Sequence, residues 1–124
     1  DLHSFPTRRS SDLVGEPEAS VRKRAQHFLD AAPAALSAAC QLELCAMQAQ
    51  AGGGSLPAQN LPSWGLALRP KSMSAQELEL RLRRTPVPVI GRMEHDALYL
   101  DMRTIAQEEE ALLAHSLQHA LALP

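Results

Sequence analysis

The chain is short of the residues that build sheets. Phe, Trp and Tyr make up only 3% of its 124 residues, and Val and Ile together number six. Strands draw on β-branched and aromatic side chains, so this shortage argues against a large all-β sandwich or barrel. Long apolar runs are lacking too. No stretch approaches the roughly 18–20 residues that cross a bilayer as a helix, so no membrane span is expected. Cysteine is limited to Cys40 and Cys45, spaced C-x4-C. That spacing fits neither a redox pair nor a zinc ribbon, and two free thiols in a reducing compartment are expected. Lysine occurs only as Lys23 and Lys71. Lys23 lies between arginines and Lys71 follows a proline in a loop, so neither reads as a desolvated lysine for Schiff-base chemistry. A net charge of −2 lacks the basic excess of a dedicated nucleic-acid binder.

Alanine and leucine take the place of what is missing. Each occurs 20 times, within a 45% hydrophobic composition, and both favour helix. The length suits one domain. Asp1–Leu13, DLHSFPTRRSSDL, stands apart. It has no initiating Met and neither a helical nor a strand period, and it resembles translated sequencing-adapter sequence. We therefore expect residues 1–13 to be non-native and residues 14–124 to be a C-terminal small domain of a truncated protein.

Within 14–124, Val21, Ala25, Phe28, Leu29 and Ala32 recur at helical spacing, which predicts a helix over Glu16–Leu36 that Pro33 ends or kinks. Leu42 and Leu44 alternate with polar residues and predict a strand over Cys40–Ala49. A loop follows at Gly52–Pro57, then a second strand at Ser63–Leu68. Ser74-x-x-Glu77 is a capping box opening a helix to Arg84. Pro88–Met93 and Leu98–Met102 form a hairpin across Glu94–Ala97. Thr104-x-x-Gln107 reads as a second capping box, opening a last helix with Ile105, Leu112, Leu113, Leu117 and Leu121 as its apolar stripe. The order helix–strand–strand–helix–strand–strand–helix predicts an α+β layer, a mainly antiparallel sheet covered by helices.

Candidate chemistry is sparse. The triple glycine lacks the Lys-Ser/Thr of a phosphate loop. Ser55 lacks a nucleophile elbow. His115 and His119 share a helix face but have no third ligand. Arg22-Lys23-Arg24 and Arg81-x-Arg83-Arg84 read as solvated faces, with contact to an RNA backbone as the alternative. Arg92 and Arg103 stand out because each ends a predicted strand. A guanidinium held there presents a bidentate fork to a carboxylate or phosphate. The competing reading for both is an ion pair with Glu94, Asp96 or Asp101.

Three blocks act together: Gly52-Gly53-Gly54-Ser55-Leu56-Pro57, then Leu61-Pro62-Ser63, then Thr85-Pro86-Val87-Pro88-Val89-Ile90-Gly91-Arg92 leading into Leu98–Thr104. They resemble the C-terminal end of the bacterial L-seryl-tRNA(Sec) selenium transferases, the selenocysteine synthases, over about residues 14 to 121. The resemblance implies the small domain of a fold-type-I pyridoxal phosphate enzyme. It implies a cytoplasmic transferase that converts seryl-tRNA(Sec) to selenocysteyl-tRNA(Sec) with selenophosphate, and that assembles as a ring of dimers. It also implies that the lysine holding pyridoxal 5'-phosphate, the cofactor's phosphate-binding residues and the tRNA-binding N-terminal domain lie upstream of this chain. No catalytic residue carries over. Arg92 is the candidate substrate contact, since small-domain arginines of such enzymes often grip a substrate carboxyl. Here that carboxyl is esterified to tRNA, so a polar or phosphate contact is equally implied. Two other readings remain: the small domain of a different fold-type-I enzyme, and a free-standing regulatory or binding module.

Overall fold

A computed structural model describes residues 15–51, 59–85 and 91–122. The segment 1–13, the Gly52–Pro57 loop and the Pro88–Ile90 part of the predicted hairpin lie outside the described residues.

The predicted first helix is two helices, α1 (Glu18–Ala31) and α2 (Ala34–Ala39). The break comes from Pro33. A residue preceding proline is pushed out of the helical region, and Ala32 is extended at φ −61°, ψ 136°. The Pro33 carbonyl then accepts from the amides of Leu36 and Ser37 and starts α2. β1 (Cys40–Ala51) and β2 (Gln59–Pro70) follow, then α3 (Ala75–Arg83), β3 (Arg92–Glu94) and β4 (Ala97–Asp101). Ser74 caps α3 as expected, its hydroxyl accepting from the Glu77 amide at 3.0 Å.

The second expected capping box does not form. Met102–Thr104 and Gln107–Glu109 are short 3-10 turns, and α4 spans only Glu110–Ala120. The Thr104 hydroxyl donates back to the Asp101 carbonyl at 2.7 Å instead of capping a helix. Glu109 reaches back to the Ala106 amide in its place.

The four strands pair antiparallel in the order β1-β2-β4-β3. Leu66 and Leu68 of β2 stand opposite Leu100 and Leu98 of β4. Side chains alternate across a strand, so these four leucines share one face. They are buried with Val21, Ala25 and Phe28 of α1, Leu36 of α2, Leu78 and Leu82 of α3, and Leu113 and Leu117 of α4. The α1 face of Val21 and Phe28 is thus covered within this chain. Leu112, expected in the α4 stripe, is 43% exposed. The register places Glu43, Ala67, Tyr99 and Arg92 in one row on the opposite face of the sheet.

The β3–β4 hairpin turns on two residues, His95 and Asp96, at φ 49° and 60°. Such a turn follows the strand twist but needs positive φ at both positions, where Asn-Gly is favoured. Left-handed backbone costs an L-residue roughly 1–2 kcal/mol. Asp96→Gly is therefore expected to raise stability by about 1 kcal/mol, read as a shift in urea midpoint at unchanged slope. A loss of stability would show that the Asp96 side chain holds the turn.

Candidate functional site

The two strand-end arginines part company. Arg92 opens the edge strand β3 and is exposed. Its Nε lies 2.8 Å from Glu94 Oε2, two residues on and on the same face. An exposed pair of this kind contributes only about 0–1 kcal/mol, so it yields readily to a competing anion. Arg103 is 2% exposed, in the 3-10 turn after β4. Its Nη1 donates to the Glu16 carbonyl and its Nη2 to the Pro62 carbonyl at 2.6 Å. Asp101 accepts from the Arg103 amide at 3.0 Å and from the Ser63 hydroxyl at 2.5 Å. Arg103 thus ties the start of α1 and β2 to the end of β4. The structure does not bring the two guanidinium groups together.

The basic run Arg22-Lys23-Arg24 also divides. Arg22 and Lys23 are exposed, whereas Arg24 points inward. Arg24 pairs with Glu16 and Glu110, each at 2.8 Å, and donates to the carbonyls of Met102 and Ile105, each at 2.9 Å. Burial alone would lower its pKa. The hydrogen bonds to Glu16 and Glu110 outweigh that and hold it above the usual value. In α3, Arg81 and Arg83 are exposed; Arg81 pairs with Glu77 at 3.0 Å and also donates to the Ala120 carbonyl at 3.3 Å, and Arg83 lies 3.8 Å from the half-buried Glu79.

Other candidates stay apart. Both cysteines are free. Burial pushes the Cys40 thiol up to about 11 and raises that of Cys45. Neither has the lowered pKa of a nucleophilic thiolate. His115 and His119 are exposed on α4. Among the described residues no group of three His, Cys, Asp or Glu could hold a metal ion. No helix among them is long and apolar enough to cross a membrane. Lys23 and Lys71 are both exposed, and an aldimine-forming lysine needs a desolvated or charge-tuned pocket. The lysines of this chain therefore do not fit covalent attachment of pyridoxal phosphate.

Among the described residues, a groove of about 650 Å³ runs along the outer face of α1. Ala19, Arg22, Lys23, Gln26, His27 and Asp30 recur at helical spacing and form its wall, and Trp64 of β2 closes it. The Arg22 guanidinium lies 4.7 Å from the Trp64 ring centroid. Trp64 Nε1 donates to Glu18 Oε2 at 3.0 Å, which fixes the ring edge-on to the helix start. Reasoning from the sequence passed over Trp64. The signal was there: it is the chain's only tryptophan, placed on a strand beside a helix with a basic outer stripe.

The L-seryl-tRNA selenium transferase family model matches residues 6–106. The chain is 40% identical over 109 residues to the L-seryl-tRNA(Sec) selenium transferase of Moorella thermoacetica, covering 88% of this chain and 23% of that protein. It is 38% identical over 112 residues to that of Desulfotalea psychrophila, 90% of this chain and 23% of that protein. It is 36% identical over 119 residues to that of Desulfovibrio desulfuricans, 96% of this chain and 25% of that protein. The chain thus spans about a quarter of the length of the relatives it matches.

Proposed function

The chain belongs to the L-seryl-tRNA selenium transferase family, and from that premise we propose that it is the small C-terminal domain of an enzyme that makes selenocysteyl-tRNA(Sec). The observation that carries the reading is 40% identity across 88% of the chain to a transferase of that name. The four-stranded antiparallel sheet with its helices packed on the leucine face supports assignment to the small domain of a fold-type-I pyridoxal phosphate enzyme. In the complete enzyme the cofactor is held by residues outside this chain, because Lys23 and Lys71 are exposed. Seryl-tRNA(Sec) is the acceptor, selenophosphate is the selenium donor, and the enzyme works as a cytoplasmic homo-oligomer. The chain by itself is expected to be inactive.

The test is to join this chain to the remainder of its reading frame, purify the product with pyridoxal phosphate, and supply seryl-tRNA(Sec) and selenophosphate. Formation of selenocysteyl-tRNA(Sec) supports the reading; an intact, cofactor-loaded protein that leaves seryl-tRNA(Sec) unchanged refutes it.

Within that enzyme Arg92 is the proposed substrate contact, because it is exposed and its pairing with Glu94 is weak. Arg103 is occupied by two backbone carbonyls and is proposed to act through the fold. Arg92→Lys keeps the charge but loses the planar fork. A charge-assisted hydrogen bond contributes roughly 1.5–3 kcal/mol, so turnover is expected to fall by at least about tenfold with the thermal midpoint unchanged. Wild-type turnover in Arg92→Lys would remove Arg92 from the site.

A further inference from the structure

We propose that the groove between α1 and Trp64 holds one nucleotide of a tRNA, with its phosphate on Arg22 and Lys23 and its base against the Arg22–Trp64 stack. The inference rests on the tRNA-dependent reading above and assigns a part of that substrate to the residues of this groove.

Size and chemistry agree. A groove of about 650 Å³ falls within the roughly 300–1,000 Å³ of small-ligand sites, room for a nucleotide. Trp64 is half-buried, so its body is anchored in the core while part of its ring faces the groove. Arg22 already lies over that ring. Guanidinium and indole planes are the surfaces on which unstacked RNA bases settle. Arg22 and Lys23 are adjacent, exposed and on the same wall. Two acids, Glu18 and Asp30, also line the groove. Glu18 accepts the Trp64 N–H. Asp30 accepts from Gln26 at 2.9 Å and lies eight residues past Arg22, about 12 Å along the helix at 1.5 Å per residue. Arg22 and Lys23 are balanced in formal charge by Glu18 and Asp30, and the two cations lie on the wall that faces the chain's one tryptophan. That arrangement favours one local nucleotide contact over a broad electrostatic footprint.

Because Trp64 is the only tryptophan, its emission reports this groove alone. The experiment titrates the 124-residue chain with a tRNA(Sec) transcript at low salt and follows tryptophan fluorescence. Saturable quenching is expected. Arg22→Ala should weaken binding by about tenfold, as loss of a stacking and phosphate partner does. Lys23→Ala should flatten the salt dependence by about one phosphate contact. Arg22→Lys should keep the salt dependence but lose part of the quenching. Arg84→Ala, an equal charge change at the far end of α3, should leave binding unchanged. Far-ultraviolet circular dichroism checks that each variant is folded. Absence of quenching, or an equal loss in Arg84→Ala and Arg22→Ala, overturns the assignment. Either result leaves the transferase reading intact, since that reading stands or falls on conversion of seryl-tRNA(Sec) by the full-length enzyme.

Discussion

Arg24→Met is expected to lower the thermal midpoint by roughly 15–25 °C, the equivalent of about 3–5 kcal/mol. The size follows from what Arg24 joins. It leaves α1, pairs with Glu16 just before that helix, and reaches Glu110 at the start of α4. It also satisfies the carbonyls of Met102 and Ile105 in the irregular stretch between β4 and α4. Methionine fills a similar volume but donates nothing. Two carboxylates and two carbonyls would then lose their shared partner in a site where Arg24 and Glu16 are only 11% and 12% exposed. Stranding a poorly solvated charge costs more than the pair contributed. Adding Glu16→Gln to Arg24→Met should therefore recover part of the loss, because it removes one of the stranded charges. Thermal unfolding followed by circular dichroism reads both. A shift under about 5 °C, near 1 kcal/mol for a domain of this size, would mean that water replaces the guanidinium at little cost.

Arg24 also shows where sequence reading stops. Local signals were legible. Ser74 caps α3 because its hydroxyl meets the Glu77 amide within one turn and owes nothing to the rest of the chain. The strands Cys40–Ala49 and Ser63–Leu68 were placed within a few residues, because period-2 leucines and flanking Gly and Pro set them locally. Thr104-x-x-Gln107 matched the same capping pattern and failed. There the chain is drawn inward by the bonds of Arg24 to Met102 and Ile105 and of Arg103 to Glu16, which span 78 to 87 residues in sequence, and the helix starts later. Arg22 and Arg24 look alike in a run of basic residues. Phase separates them: Arg24 sits three residues after Val21 and four before Phe28, on the buried side of α1. Arg92 and Arg103 both read as strand-end arginines in the sequence, and only the path of Glu16 and Pro62 over Arg103 tells that its fork is filled. The groove at Trp64 was illegible for the same reason, since its two walls come from residues about 40 positions apart.

Gly65→Ala is expected to cost about 3 kcal/mol, while Gly15→Ala, with nothing within 4 Å of its added methyl, should cost almost nothing. Gly65 lies in β2 between Cys45 of β1 and Asp101 of β4. A Cβ there would run into the Leu100 carbonyl oxygen and come within 2.7 Å of Met47 Cε and 2.9 Å of the Leu100 carbonyl carbon. The methionine tip can swing away. The backbone of β4 cannot, because its pairing with β2 is short, from Gly65↔Asp101 to Leu68↔Leu98. Pushing β4 outward would also pull Leu98 and Leu100 from the buried leucines they face, and would shift Asp101, which holds Ser63 and the Arg103 amide. Overpacking that only displaces side chains usually costs about 1–3 kcal/mol, and a collision with backbone falls at the upper end. Hydrogen exchange should localise the damage. The β4 amides paired with β2 should lose protection first, while those of β1 paired with the distal half of β2 keep theirs. A Gly65→Ala variant as stable as wild type would mean that β4 follows a different path past β2.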